Sequence, residues 1–196
     1  MKLGKLLLAV VGATVLLGAL VSSASARNLS VSEQRTTALW TRWNISGGFG
    51  TIECEVKLSR SFHTRTFAKT ANSLIGYITE GTVLRCSRGS LTINQASFPW
   101  HLRYRGFTGT LPNITGLSET VTGAEWTLRE PTFGIACTVR SESSSTILTY
   151  SVSSGTFANV GVSGESPCSG TTILTLEGTT TNVTNGAGGR VTIRLI

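Results

Sequence analysis

Few side chains in this sequence could do chemistry, and its two histidines come first among them. His63 and His101 are the only imidazoles in the chain. A histidine beside a carboxylate can act as a general acid or base, so an exported hydrolase using His63 or His101 with a glutamate is one hypothesis. A Ser-His-Glu system would also need an activated serine, and the Gly-x-Ser-x-Gly pattern is absent. We therefore predict no catalytic residue and keep the hydrolase as the alternative function.

Metal and carboxylate chemistry find little support in the spacing of residues. The two histidines are 38 residues apart, and the close helical spacing of a zinc motif is missing. All ten acidic residues are glutamates, which counts against calcium loops. Glu53 and Glu55 share one strand face, so a glycosidase carboxylate pair can be drawn, but we interpret them as solvated. We expect neither a metal site nor a cofactor.

The charge balance favours an anionic partner without specifying one. The chain has 17 Lys and Arg against 10 Glu, which gives a formal net charge of +7. Removing an N-terminal leader with Lys2 and Lys5 would lower it to +5. The positive charge is spread along the chain, and no lysine-arginine cluster marks a nucleic-acid site. We therefore expect no nucleic-acid partner.

The N-terminus has the build of a secretory signal peptide. Lys2 and Lys5 precede an uncharged, mostly apolar run over 6–21, and Ala24-Ser25-Ala26 forms a small-residue cleavage site. We predict a signal peptide over 1–26 and a single domain over 27–196, with no membrane span after signal cleavage. The predicted location is secreted, extracellular or in the cell envelope.

Four cysteines in an exported chain predict two disulfides. Four cysteines allow three connectivities, and a zinc site is disfavoured because no Cys-x-x-Cys pair is present. We favour Cys54–Cys86 and Cys137–Cys168, which close loops of 31 and 30 intervening residues. Chain-entropy arithmetic gives each bridge about 3–4 kcal/mol.

Alternation of apolar and polar residues predicts an all-β fold. In the clearest segment, Ile52, Cys54 and Val56 alternate with charged residues. About ten such short strands, separated by Gly- and Ser-rich turns, indicate an antiparallel sandwich or barrel. Trp40 and Trp43 have opposite parity in a strand over 36–45, so we expect one of them to be exposed.

The stretch over 98–116 carries the candidate ligand-binding residues. Trp100, Leu102 and Tyr104 form the apolar side of a predicted strand, which places three basic side chains on its outer side. Close spacing of Gly and Pro then predicts a structured loop over 109–116 instead of a second strand. The candidate ligand-binding residues are His101, Arg103, Arg105 and Asn113.

Several segments resemble a set of uncharacterised exported proteins from high-GC actinobacteria. The segments are SVSEQ, SFHTRTFAK, SLIGYIT, PWHLRYRGFTGTLPNIT and the terminal VTIRLI, of which the PWHLRY…GTLPNIT block is the most specific. The resemblance implies an exported, disulfide-bearing β-protein. It implies no activity, cofactor or catalytic residue.

These observations favour a non-catalytic binding or structural protein of the cell surface. The predicted ligand is an anionic or glycan polymer of the envelope, bound at the basic outer side of the strand at His101, Arg103 and Arg105. The hydrolase hypothesis predicts turnover that a single histidine substitution abolishes. A structural protein of an outer layer predicts self-assembly at high concentration without added ligand.

Overall fold

The computed structural model describes residues 28–110, 113–141, 146–151, 156–160 and 175–196. The predicted signal peptide lies outside these residues. The described chain contains fourteen β-strands and two short 3-10 turns at Gln95–Ser97 and Pro131–Phe133. The strands are β1 (Asn28–Val31), β2 (Arg35–Gly47), β3 (Gly50–Phe62), β4 (Thr66–Ala68), β5 (Leu74–Cys86), β6 (Ser90–Ile93), β7 (Trp100–Thr110), β8 (Asn113–Thr122), β9 (Glu125–Glu130), β10 (Ile135–Arg140), β11 (Thr146–Ser151), β12 (Thr156–Val160), β13 (Thr175–Thr184) and β14 (Ile193–Leu195).

Eight of these strands close into an antiparallel barrel. Around the barrel the order is β2, β3, β5, β7, β8, β11, β12 and β13, and β13 pairs with β2 to close the ring. The order follows the chain, so this is an up-and-down barrel in which each strand pairs with its predecessor. Closure gives each of the eight strands a partner on both sides, although β5 pairs with β7 only over residues 74–78.

Two three-stranded sheets lie at opposite ends of the barrel. One has the order β14-β1-β4 and the other β10-β9-β6. The chain enters β4 from the end of β3 and β6 from the end of β5, and β3 and β5 run in opposite directions. Phe67 of β4 stacks on Phe62 at 5.6 Å, and Trp126 of β9 lies 6.3 Å from Trp43 between ring centroids. Each small sheet is therefore packed onto the barrel by an aromatic pair.

The structure confirms the predicted all-β antiparallel class, and of the two predicted architectures, sandwich or barrel, it has the barrel. There are more strands than the ten expected, and several are longer than expected, since β2, β3 and β5 have 13 residues each. Within the described residues, no helix has the length and apolar character needed to cross a membrane.

Both tryptophans of β2 are buried, which corrects the prediction that one would be exposed. Trp40 is 3% exposed and Trp43 is 5% exposed. The pairing of β2 with β3 shifts between them, and both Thr41 and Arg42 point to solvent. A β-bulge adds a residue to one strand and reverses the parity beyond it. The bulge therefore brings two side chains of opposite sequence parity to the same side.

The prediction of a loop over 109–116 was wrong, because most of this segment belongs to a β-hairpin. β7 continues to Thr110, and β8 begins at Asn113, directly opposite. The register of the pair shifts at Gly106 and again at Gly109. Glycine within a strand often marks a bulge, so these glycines mark irregularities within a ladder that continues past them.

The first predicted disulfide is present within the barrel wall. Cys54 and Cys86 are register partners on β3 and β5, and they are bonded. Cys137 on β10 is also disulfide-bonded. Its predicted partner, Cys168, lies outside the described residues, so the second pairing stays a prediction.

One ion pair is buried among the apolar side chains of the barrel. Arg60 of β3 donates two hydrogen bonds to the carboxylate of Glu119 on β8, at 2.7 and 2.6 Å. Arg60 is 4% exposed and Glu119 is fully buried. The guanidinium also lies 4.4 Å from the ring centroid of Phe62. A bidentate pair of this kind fixes the relative position of β3 and β8, which are not neighbours in the sheet.

Candidate binding surface

Three aromatic rings from three neighbouring strands line up on the outside of the barrel. Tyr77 of β5 lies between His63, which follows β3, and His101 of β7. The ring centroids are 4.7 Å apart for His63 and Tyr77 and 5.5 Å apart for Tyr77 and His101. His63 is exposed, and Tyr77 and His101 are half-buried. We call these three residues the aromatic strip.

Strand pairing alone places the aromatic strip. Tyr77 pairs with Ser61 on one side and with His101 on the other. The backbone N–H of His63 donates to the carbonyl of Ile75 at 3.0 Å, which holds its ring beside β5. Gly76 permits this close approach, because a Cβ there would lie 2.4 Å from the carbonyl oxygen of Ser61. Residues distant in sequence thus meet on one surface.

The two predicted ligand-binding arginines extend this surface along β7. The burial of Trp100, Leu102 and Tyr104 places His101, Arg103 and Arg105 on the outer side, as the alternation predicted. Arg103 donates to the carbonyl of Asn72 at 3.0 Å, which fixes its position. Arg105 is exposed and makes no ion pair with a described residue.

The fourth predicted residue, Asn113, lies far from the other three. It pairs with Thr110 at the tip of the hairpin, whereas His101 pairs with Thr122. Asn113 and Thr122 are separated by nine residues of β8, a span of about 30 Å in an extended strand. The structure therefore brings His101 and Arg103 together and leaves Asn113 outside the candidate surface.

A cleft of about 500 Å³ adjoins the aromatic strip. It lies over β2, β3 and β5, and the turn that follows β13 forms part of its rim. Its lining residues are Arg35, Thr36, Thr37, Ser59, Arg60, Ser61, Thr79, Glu80 and Gly186. Ser61 is the register partner of Tyr77, and Thr79 is two residues beyond Tyr77 on the same strand. We call this feature the outer cleft.

The outer cleft presents charges and hydroxyls that the described residues leave available. Arg35 and Glu80 are exposed, and neither forms an ion pair within the described residues. The hydroxyls of Ser61 and Thr79 reach backbone carbonyls only at 3.4 Å, longer than a good O–H···O bond. Such a lining suits a polar ligand with many hydroxyl groups, since each can exchange hydrogen bonds with the wall.

Among the described residues, the candidate surface has few of the contacts that acid-base or metal chemistry requires. Neither His63 nor His101 hydrogen-bonds to a carboxylate of the described chain. No group of three or more His, Cys or Glu capable of holding a metal occurs in the same part of the chain. Glu55 is paired with Arg85 at 2.7 Å, which gives its carboxylate a partner on the neighbouring strand. The hydrolase hypothesis gains no supporting contact here.

The resolved pKa shifts fall away from this outer surface. Hydrogen bonds from Arg140, and then from Asn94, lower the pKa of Glu125, which lies on the small sheet of β6, β9 and β10. Burial raises the pKa of the Tyr104 phenol, on the inner side of β7. Both shifts have a structural cause, and neither marks a reacting group.

Sequence reasoning found part of this surface and missed its centre. Tyr77 was not among the candidate residues, because its neighbours depend on the pairing of β5 with β3 and β7. The outer cleft also escaped notice, because its residues come from β2, β3, β5 and the turn after β13. The alternation of residues in β3 and β5 indicates which side chains point outward. The register between the two strands was needed to know which of these side chains lie next to each other.

Comparison with known protein families, with characterised proteins and with solved structures finds no match for this chain. The resemblance to exported actinobacterial proteins stays a prediction.

Proposed function

We propose that this protein is a secreted or cell-envelope-associated, non-catalytic binding protein. Its ligand is an anionic or glycan polymer of the cell surface. The observation that carries the proposal is the aromatic strip on the outer side of the barrel, with Arg103 and Arg105 beside it. The strip combines flat rings, which stack on sugar rings, with cations, which attract anionic groups.

The position of the cations supports a polymer over a small ligand. Arg103 and Arg105 continue along β7 from the strip, and Arg35 lies across the barrel face on β2. Positive charge thus extends along two directions of a surface without a closed pocket. A chain-like ligand can contact several of these groups together, each of which contributes little by itself.

The proposed location follows from the sequence and agrees with the crosslink. The charged, apolar and small-residue segments of 1–26 are typical of an export signal. The Cys54–Cys86 disulfide is of the kind that persists in oxidising compartments.

Co-sedimentation with envelope fractions of the source organism across a salt series tests the proposal. The double variant Arg103→Gln/Arg105→Gln should bind about three- to tenfold more weakly and show a flatter salt dependence, since two exposed charges are removed. A charge-matched control is Arg42→Gln/Arg129→Gln, because both residues are exposed and lie away from the strip. Equal binding by the two double variants would contradict the proposed surface.

A further inference from the structure

We infer that the outer face of the β14-β1-β4 sheet is a docking surface for a lipid bilayer that contains anionic phospholipids. This inference goes beyond the proposed function, because it concerns one end of the barrel and not the aromatic strip. The chemistry that the face recognises is a layer of phosphate groups at the surface of a membrane.

The β14-β1-β4 sheet has one face toward the barrel and one face toward solvent. Buried residues of β1 and β14 alternate with residues that point outward. On the outer face, Ser30 of β1 lies between Arg194 of β14 and Thr66 of β4, which are its register partners. Both register partners are exposed, as is Arg65, which directly precedes β4. We call this outer face, together with Arg65, the basic end face.

Positive charge is concentrated at this end of the molecule. The segments over 28–36, 64–70 and 185–196, which form this end, contain five basic residues and one acidic residue. The segments over 88–95 and 124–141, which form the sheet at the opposite end, contain three basic residues and two acidic ones. The five basic residues are Arg35, Arg65, Lys69, Arg190 and Arg194. A concentration of one sign of charge attracts surfaces of the opposite sign.

Ion pairing compensates little of this charge. A terminal nitrogen of Arg65 lies 3.7 Å from a carboxylate oxygen of Glu33, which is a long ion pair, and the Arg65 side chain is 63% exposed. Arg194 makes no ion pair with a described residue. At the opposite end, by contrast, the guanidinium of Arg140 lies 2.6 Å from the carboxylate of Glu125. The two ends therefore differ in how much positive charge is available to a partner.

The predicted signal peptide joins the protein at the same end. β1 is the central strand of the sheet and begins at Asn28, whereas the uncharged, mostly apolar run ends at Val21. The six residues over 22–27 separate these two points, and such a segment spans about 20 Å when fully extended. While the apolar run occupies a bilayer, the sheet is therefore held within about 20 Å of it. This placement favours the membrane over a soluble polymer as the partner.

An exposed aliphatic side chain at this end also favours a lipid surface. Ile196 follows β14 and is 52% exposed. Its backbone N–H donates to the carbonyl of Asn28 at 3.0 Å, so Ile196 lies beside the point where the predicted signal peptide joins the sheet. A membrane interface accommodates apolar side chains among basic ones, whereas a soluble polyanion offers Ile196 no apolar contact.

Co-sedimentation of the protein, purified after export, with lipid vesicles tests this inference. The protein should bind vesicles of equimolar phosphatidylcholine and phosphatidylglycerol, and the binding should weaken as salt is raised. Vesicles of phosphatidylcholine alone should bind at least about tenfold more weakly, because they carry no net charge.

Arg65→Gln/Arg194→Gln should lose at least about tenfold in affinity for the anionic vesicles, because each basic residue near such a surface contributes about fivefold. Arg129→Gln/Arg140→Gln is the charge-matched control, since both arginines are exposed on the sheet at the opposite end. This control should bind as the wild type does, because charges farther than a Debye length from the membrane are screened. An equal loss in the two double variants would show that net charge alone drives binding, and would overturn the basic end face as the docking surface.

Ile196→Ser separates a lipid surface from an anionic polymer. It should weaken binding to the anionic vesicles about threefold or more, because an apolar contact is lost. It should leave binding to soluble polyphosphate unchanged, because that probe offers charge alone. If polyphosphate binds as tightly as the vesicles do and Ile196→Ser changes neither affinity, the partner is a polymer and the lipid assignment is overturned.

The remaining outcomes separate this surface from the aromatic strip. Tyr77→Ala should bind anionic vesicles as the wild type does, and a loss comparable to that of Arg65→Gln/Arg194→Gln would assign vesicle binding to the strip and overturn the inference. Absence of binding to anionic vesicles at low salt would also overturn it. The proposed function would stand in that case, because the Arg103→Gln/Arg105→Gln variant tests it separately.

Discussion

The inner and outer sides of β3, β5 and β7 use similar residues for different purposes. On the inner side, both terminal nitrogens of Arg60 donate hydrogen bonds to Glu119, and the guanidinium lies over the ring of Phe62. Outside, Arg103 is held by a single backbone carbonyl, and Arg105 extends into solvent. The inner arginine is committed to the fold, whereas the outer ones keep most of their hydrogen-bonding capacity for a ligand.

Aromatic residues show the same contrast. On the inner side Phe62, Phe67 and Tyr104 pack together and join the barrel to a small sheet, with centroid separations of 5.6 and 6.5 Å. On the outer side the rings of the strip contact one another, and His63 is exposed. The difference indicates that inner substitutions should change stability and outer ones should change binding.

Arg60→Met should have the largest effect on stability. It leaves Glu119 as an uncompensated buried charge, which costs about 3–5 kcal/mol of the free energy of unfolding. The double variant Arg60→Met/Glu119→Leu should recover most of that loss, because the buried charge is removed with its partner. Urea denaturation checks both variants. A loss below about 1 kcal/mol in Arg60→Met would mean that the inner side tolerates an isolated charge.

Removal of the Cys54–Cys86 disulfide should have the second largest effect on stability. In the double variant Cys54→Ala/Cys86→Ala the two positions, 32 residues apart in sequence, are no longer crosslinked, which costs about 3–4 kcal/mol in the chain-entropy account. Denaturant unfolding of wild-type and variant protein measures the loss. If mild reduction of the wild-type protein leaves its stability unchanged, the bridge does not contribute as described.

Tyr77→Ala should separate binding from folding. Tyr77 contacts His63 and His101 on the outer side of the barrel, so its loss should cost about 1 kcal/mol or less in stability. Polymer binding should fall about tenfold, because a stacking platform disappears. Tyr77→Phe keeps the ring and serves as the control, with binding near wild type. A Tyr77→Ala variant that binds normally but unfolds readily would show that this outer residue serves stability and not binding.

The smallest predicted effect is an alkaline loss of stability from Tyr104. Burial raises the pKa of this phenol, so the folded state holds its proton more tightly than the unfolded chain does. The stability it contributes is complete below the unfolded pKa of about 10 and declines as the pH rises through the folded pKa. Tyr104→Phe should unfold with a shallower dependence on pH in this range. Identical alkaline profiles would show that another group is responsible.

Sequence patterns predicted the strands better than they predicted the surface that the strands form. The alternation in β3 and at the start of β7 was read correctly, because the side-chain period of two holds between bulges. The interpretation of Trp40 and Trp43 failed at a bulge, and the predicted loop over 109–116 was wrong because β7 and β8 continue into it. A bulge changes parity by one residue, and composition does not mark its position unless a glycine does.

Contacts across strands were beyond the reach of the sequence. Arg60 and its partner Glu119 are 59 residues apart in sequence and lie on strands that are not neighbours in the sheet. The two histidines looked unrelated until the registers of β3, β5 and β7 placed Tyr77 between them. His101 and Arg103 could be predicted together because they share one strand, whereas Asn113 could not be placed without the hairpin geometry.

Chemical-shift mapping of amide resonances during titration with soluble envelope polymer is the most direct test of the proposed binding surface. The proposal predicts that the largest changes cluster around His63, Tyr77, His101 and Arg103 and fade as salt is raised. Changes confined to the hairpin tip near Asn113, or to the small sheet of β6, β9 and β10, would contradict it.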